Sequence, residues 1–119
     1  MSDPNLLSSL STALEGVVAH ARASVVSVHS RRSRATGFVW KPGLVVTADE
    51  ALADEGEIAV KLADGTSRPA TIAGRDHTTD IALLRVDTAG LTPTTLVSNV
   101  PALGALSVVV AAERGTPTA

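Results

Sequence analysis

Four residues in the middle of the chain carry groups that could act together: Asp49, Glu50, His77 and Asp80. Carboxylates combined with an imidazole can hold a divalent cation. Their spacing matches no named ligand motif, so we expect neither a metal nor any other cofactor. Instead, Asp49 and Glu50 are expected to begin a short helical turn, where acidic side chains are favoured. Asp80 is expected to accept backbone N–H bonds at the start of a strand.

A second cluster of polar residues in the sequence is basic. Arg31, Arg32 and Arg34 follow His29 in a short run, which is typical of a solvated hairpin loop. The alternative is a site for an anionic partner, either a nucleic acid or a lipid head group. The net charge of −2 and the presence of only two aromatic residues argue against it. We expect no nucleic-acid partner, and we expect His20 and His29 to be surface or partly packed residues.

Length and composition indicate one soluble globular domain. The chain has 119 residues, 45% of them hydrophobic, and no cysteine, which excludes disulfides, thiolate metal sites and cysteine nucleophiles. No apolar run approaches the roughly 18 residues that suggest a membrane span. The first ten residues lack the basic start and apolar core of a secretory signal. As written, the chain is expected in the cytoplasm, or in the periplasm or outside the cell if a leader was removed.

Residues 3 to 22 are predicted to form one amphipathic helix. Asp3 can cap its N-terminus and Pro4 suits the first helical position. One face is apolar, with spacings of three and four residues. Its members are Leu7, Leu10, Leu14, Val17, Val18 and Ala21. This face either packs on the edge of the helix's own domain or pairs with another copy or a partner helix.

After residue 23 the pattern becomes that of short strands. Seven runs rich in β-branched residues are predicted as strands: 24–28, 35–40, 43–47, 57–62, 67–74, 80–86 and 106–112. A turn is predicted at Pro42-Gly43, a hairpin at Asp64-Gly65 and a long loop over 87–105. Short connections favour a closed β-barrel or a sandwich over an α/β fold.

From residue 24 to about 112, the order of these landmarks resembles the first β-barrel of an HtrA/DegP-type trypsin-like serine protease. The most specific block is 62–87. Residues that fall in register there are Asp64, Gly65, Ala70, Gly74, Asp76, Thr79, Asp80, Ala82, Leu84 and Val86. The resemblance implies an all-β fold with a six- to seven-stranded antiparallel barrel preceded by a helix. The expected boundaries are a helix over 1–23, the barrel over 24–113 and a disordered tail over 114–119.

The resemblance matches two of the family's catalytic positions to this chain, but only the aspartate position has the family's residue. Asp80 matches the triad aspartate, which holds a histidine in the correct tautomer. The matching histidine position is Glu50. A glutamate side chain ordinarily has a pKa of about 4.3, against about 6.5 for histidine, so it is a weak base toward a serine hydroxyl. The family's nucleophile lies in a Gly-x-Ser-Gly-Gly segment of its second barrel, and the 119 residues contain none.

We therefore expect no catalytic residues, with Glu50 and Asp80 as vestigial triad positions. The expected function is that of a one-barrel pseudoprotease that serves as an interaction or structural module. It would form a homodimer, or bind a protein partner at the face that the second barrel normally covers. The alternative is a fragment or subunit of a trypsin-like serine endopeptidase whose other parts lie in another chain or a missing C-terminal region.

Overall fold

A computed structural model describes residues 4–31, 33–54, 56–113 and 116–118. The chain begins with one helix, α1 (Pro4–Arg22), and continues as strands. These are β1 (Val25–Ser30), β2 (Ser33–Lys41), β3 (Leu44–Ala48), β4 (Ile58–Lys61), β5 (Ser67–Asp76), β6 (Ile81–Val86), β7 (Ala111–Glu113) and β8 (Thr116–Thr118). One turn of 3₁₀ helix, Asp49–Ala51, follows β3. The cap expected at Asp3 and the basic residue Arg32 lie outside the described residues.

The first six strands form a closed antiparallel barrel in the order β1-β2-β3-β6-β5-β4, with β4 returning to pair with β1. The fold class expected from the sequence is confirmed, with six strands. Valine dominates the closely packed interior, because β-branched side chains suit a pleated, buried surface. The largest fully buried apolar side chains are Val26, Val28, Val39, Val45, Val60 and Leu84.

Alternation along each strand places these side chains inside. In β4, Ile58 and Val60 are buried and their neighbours are half-buried, as a period of two requires. The hairpin expected at Asp64-Gly65 joins β4 to β5. Gly65 has a φ of 89° there, a conformation that glycine adopts without a steric penalty. The Asp64 carboxylate accepts the Thr66 N–H at 2.9 Å and so closes the turn.

The strand predicted at 106–112 is wrong for most of its length. Residues 106–110 have no regular structure, and Leu106 and Val109 are 75% and 80% exposed. Strand β7 begins only at Ala111 and pairs with β8 instead of joining the barrel. The physical reason is closure: because β4 pairs with β1, the barrel has no free edge to accept a seventh strand.

The tail expected at 114–119 also differs in part from the structure. Thr116–Thr118 forms strand β8 and pairs with Ala111–Glu113. The Ala112 N–H donates to the Thr36 Oγ1 at 3.0 Å, which fastens this small hairpin to the outside of β2. A stretch of polar residues was therefore ordered by pairing with its neighbour, which local composition does not reveal.

Helix α1 forms where predicted, but its apolar face packs on its own domain only in part. Leu6, Leu7, Leu10 and Val17 are 48–70% exposed. Leu14, Val18 and Ala21 are half-buried, and Val108 lines the same shallow groove as the first two. Within the part of the chain that is described, no helix is long and apolar enough to cross a membrane.

A second exposed apolar region follows the barrel. The predicted loop is present, and its first part is tied down: the Thr92 N–H donates to the Ala23 carbonyl at 2.9 Å, and the Thr94 N–H donates to the Val39 carbonyl at 2.7 Å. Beyond these bonds lie residues 95–110, called here the apolar segment. Most of its large side chains face solvent, and Val100 is 91% exposed; Val108 and Val110 are half-buried.

Candidate functional site

The two positions that match the family's triad meet at one end of the barrel. Asp80 comes directly before β6, and its Oδ1 accepts the backbone N–H of Glu50 at 2.8 Å. Its carbonyl accepts the N–H of Asp49 at 3.1 Å. The expectation that Asp80 binds backbone N–H groups at a strand start is confirmed. The expected helical turn at Asp49 and Glu50 is confirmed as well.

Asp80 adopts an uncommon backbone conformation to make these contacts, with a φ of 58°. Aspartate is among the few residues other than glycine that enter this left-handed region readily. The conformation turns both the carbonyl and the carboxylate of Asp80 toward the Asp49–Ala51 turn. The Glu50 side chain remains exposed, so it is the backbone amide of Glu50 that bonds to the carboxylate.

Asp49 lies beside this contact and is 3% exposed. Its Oδ1 accepts a hydrogen bond from Arg75 Nε at 2.5 Å, and its Oδ2 contacts His77 Nδ1. Arg75 also donates to the carbonyls of Asp49 and Leu52, each at 3.3 Å. A further ion pair of 3.3 Å links Arg75 to the exposed Asp54. The buried carboxylate is thus paired, as burial of a charge requires.

The electrostatics of this cluster favour the ionised carboxylate. The hydrogen bond from Arg75 is the largest cause that lowers the pKa of Asp49 below its usual value. Burial opposes this shift, while the positive charges of Arg75 and His77 add to it. The same bond raises the pKa of Arg75. The charged groups of Asp49 and Arg75 therefore form an ion pair that links the turn to β5.

The cluster does not assemble the divalent-cation site that the four acidic and imidazole residues could have formed. Among the described residues, no three His, Asp or Glu side chains are arranged to hold a metal. Asp49 is committed to Arg75 and His77, whereas Asp80 is bonded to the backbone of Glu50. A cation would have to displace the Arg75 guanidinium from Asp49.

Sequence reasoning missed Arg75, which organises this end of the barrel. It lies 26 residues from Asp49, so no local spacing connects the two. A usable signal was the position of Arg75 between Gly74 and Asp76 in the block with the strongest resemblance. The need of Asp49 for a cation partner follows from the burial of its carboxylate, which is a property of the folded chain.

The basic run is solvated where it is described, since Arg31 and Arg34 are exposed. His29 Nε2 lies 2.9 Å from Ser27 Oγ. A serine within reach of a histidine could form a nucleophile–base pair, but Ser27 is only 1% exposed. Substrate has no access to that hydroxyl. His20 is exposed on α1, so both isolated histidines are as expected.

The chain is similar in sequence to known trypsin-like peptidases. A family model described as "Trypsin-like peptidase domain" matches residues 35–119. The chain is 41% identical over 59 residues to a "Probable periplasmic serine endoprotease DegP-like" of Chlamydia pneumoniae, which is 49% of this chain and 12% of that protein. A protein of the same description from Rickettsia conorii is 43% identical over 53 residues, 44% of this chain and 10% of that one.

A solved structure shares the fold. The chain superposes on the crystal structure of the serine endoprotease from Yersinia pestis with a TM-score of 0.67 and 27% identity. The match covers 73% of this chain and 34% of that one. The chain thus spans about a third of the solved relative and about a tenth of the curated relatives.

Proposed function

The chain belongs to the trypsin-like peptidase family, and from that premise we propose that its barrel is non-catalytic, a pseudoprotease barrel that acts as an interaction module. One observation carries the proposal: the Asp80 carboxylate accepts the backbone N–H of Glu50 at 2.8 Å, and Glu50 is the residue that the resemblance matches to the family's histidine. Glu50 contacts the aspartate through its backbone and carries no imidazole that could move the proton.

The chemistry of the triad explains why this loss matters. The aspartate acts only through the histidine, by fixing its tautomer and stabilising its charged form. A backbone amide cannot accept the proton of a serine hydroxyl. His77 does not replace the missing ring, because its Nδ1 contacts Asp49 instead of Asp80. Asp80 then has a structural task, which is to hold the Asp49–Ala51 turn against β6.

Support for the interaction role comes from the apolar segment. From Thr88 to Ala112 the sequence has no charged residue, although Val97, Val100 and Leu103 are almost fully exposed. Interface cores are depleted of charge, and contiguous exposed apolar surface is characteristic of binding sites. In two-barrel members, the second barrel covers one face of the first. We propose that the apolar segment binds a protein partner with an uncharged, apolar surface in its place.

An activity assay tests the loss of catalysis. The purified chain should hydrolyse neither casein nor a fluorogenic peptide above the buffer rate, with or without a chelator. Asp80→Asn should leave that baseline unchanged. Hydrolysis that resists chelation and disappears in Asp80→Asn would overturn the proposal.

A matched pair of variants tests the interaction role. Proteins crosslinked to the chain in cells of its own organism should be lost with Leu103→Asp, because a charge would be buried without a partner. They should be retained with Thr95→Asp, which adds the same charge to an exposed polar position of the same segment. An identical set of captured proteins for both variants would count against the apolar segment.

A second candidate function is favoured by the coverage of the solved relative. Because the chain matches 34% of that endoprotease, it could be one part of a split endopeptidase whose second barrel is supplied separately. Restoring the histidine distinguishes the two functions. If Glu50→His together with an added second barrel hydrolyses peptides, whereas the natural chain with the same barrel does not, the natural chain is a pseudoprotease. Equal hydrolysis with Glu50 in place would favour the split enzyme.

For location, we propose the periplasm. The matched relatives from Chlamydia pneumoniae and Rickettsia conorii are both described as periplasmic. Expression of the gene from its own start, followed by cell fractionation, would test this, and recovery in the cytoplasmic fraction would contradict it.

A further inference from the structure

Residues 106–110, the last part of the apolar segment, have the composition of a strand but lie outside any sheet. Three consecutive valines occupy positions 108–110, and β-branched residues favour a pleated strand. Val109 is 80% exposed, whereas Val108 and Val110 are half-buried. This alternation has the period of two that an extended chain shows when it rests one face on the molecule. The stretch thus has the exposure pattern of a strand without a strand beside it.

The backbone of this stretch is unpaired on a defined edge. Strand β7 pairs with β8 up to Ala111, and the pairing stops there. The Ala112 N–H donates to the Thr36 Oγ1, so it points away from β8. Because the backbone groups of successive strand residues point to opposite edges, Ser107 and Val109 present theirs on the β8 side. No backbone hydrogen bond joins either of them to another residue that the structure describes.

This edge also lacks the features that keep exposed strand edges from pairing. Natural proteins protect such edges with charged side chains, proline, bulges or a covering element. From Ala102 to Ala112 the sequence has no charged residue and no proline. An accessible edge of this kind is a template for another extended chain.

We propose that residues 106–110 bind an extended, uncharged segment of a partner protein by strand addition, with main-chain hydrogen bonds at Ser107 and Val109. The inference rests on the interaction role proposed for the apolar segment and adds the mode of recognition. A strand is the occupant that the backbone requires, because it supplies donors and acceptors in a row at the spacing of an extended chain.

The surface beside this edge indicates which side chains the partner segment carries. An added strand turns every second side chain toward the face that Val108 occupies. Val108 lines a shallow groove there together with Leu14 and Val18 of α1, so the inward side chains of the partner should be apolar. Glu15 and Arg22 line the same groove, and their opposite charges give no preference for a charged partner.

Amide hydrogen exchange measured by NMR tests the pairing. The probe is an acetylated and amidated Thr-Val-Thr-Val-Thr-Val peptide, N-methylated at every second residue so that only one of its edges can pair. This half-methylated peptide should slow exchange at Ser107 and Val109 and leave Val108 unchanged. The same peptide N-methylated at every residue should have no effect. Absence of protection by the half-methylated peptide, or equal protection by both peptides, would overturn strand addition.

Two variants at one exposed position separate main-chain from side-chain recognition. Val109→Pro keeps an apolar side chain but removes the N–H, so a peptide carbonyl loses its donor. It should weaken binding of the half-methylated peptide about tenfold or more. Val109→Thr keeps the N–H and the β-branched shape and should bind within about threefold of the natural chain. The reverse order of the two affinities would show recognition by the side chain and overturn the proposal.

The outcomes also separate this inference from the interaction role on which it rests. Loss of crosslinked proteins with Leu103→Asp, without protection of Ser107 and Val109 by the peptide, would overturn strand addition and leave the interaction role standing. Protection that appears without peptide as the concentration of the chain rises would assign the edge to a second copy, and it would overturn a partner segment as the occupant.

Discussion

The guanidinium of Arg75 bonds to the buried carboxylate of Asp49, with 2.5 Å between Nε and Oδ1. The two residues belong to different parts of the barrel, β5 and the turn after β3. Two further bonds from Arg75, to the carbonyls of Asp49 and Leu52, extend the link along the turn. Arg75 thus holds the turn in the position where the Glu50 N–H reaches the Asp80 carboxylate.

Removal of either member of this pair should destabilise the barrel. Arg75→Gln leaves the buried Asp49 carboxylate without its arginine partner, and Asp49→Asn leaves the half-buried Arg75 guanidinium with only the exposed Asp54. Breaking such a pair from one side costs more than the pair itself contributes. We expect both single variants to lower the melting temperature clearly, and the double variant to lose less than the sum, because the two residues are coupled. Asp54→Asn is the control, since it removes only the exposed partner of Arg75. Additive effects of the two single changes would contradict the coupling.

The same pair predicts acid sensitivity. Because the pKa of Asp49 is lower in the folded chain than in the unfolded one, its contribution to stability is complete above about pH 4. That contribution is lost as the pH falls through the folded pKa. Urea unfolding measured from pH 6 to pH 2 should show a smaller loss of stability in Asp49→Asn than in the natural chain. Parallel pH profiles for the two chains would rule out this role of Asp49.

His29 should affect the stability of the chain at a higher pH than Asp49 does. Burial, followed by the charges of Arg34 and Lys61, lowers its pKa in the folded chain. As the pH falls below about 6.5, the unfolded chain takes up a proton before the folded chain does, so the free energy of unfolding decreases. His29→Gln should remove the part of this decrease between about pH 6.5 and the folded pKa. His20→Gln, on the exposed helix, serves as the control. If both variants keep the natural slope, His29 is not the titrating group.

Gly37 is required by close packing in the barrel. A Cβ at this position would lie 2.9 Å from the Val45 Cγ1 and 3.1 Å from the Val46 carbonyl oxygen. Gly37→Ala should therefore lower the free energy of unfolding by about 1–3 kcal/mol, the usual cost of overpacking. Gly74→Ala, also in a strand, has open space around its Cβ and should unfold near the natural denaturant concentration. Chemical denaturation of the two variants measures the difference, and equal midpoints would contradict the packing account.

The sequence by itself determined α1 and the six barrel strands, because hydrophobic periodicity and turn residues are local properties. Its resemblance to a known family also identified Glu50 and Asp80 as matching positions. That prediction required only aligned motifs, the segment 43–52 for Glu50 and the block 62–87 for Asp80.

The tertiary structure decided the features that depend on distant parts of the chain. Barrel closure removed the edge that residues 106–110 would have needed to form a strand, and pairing with Ala111–Glu113 ordered Thr116–Thr118. Burial of Asp49 selected Arg75 as its partner across 26 residues. The partial exposure of the apolar face of α1 was likewise undecided by its sequence, because an apolar stripe has the same spacing whether its own barrel covers it or solvent does.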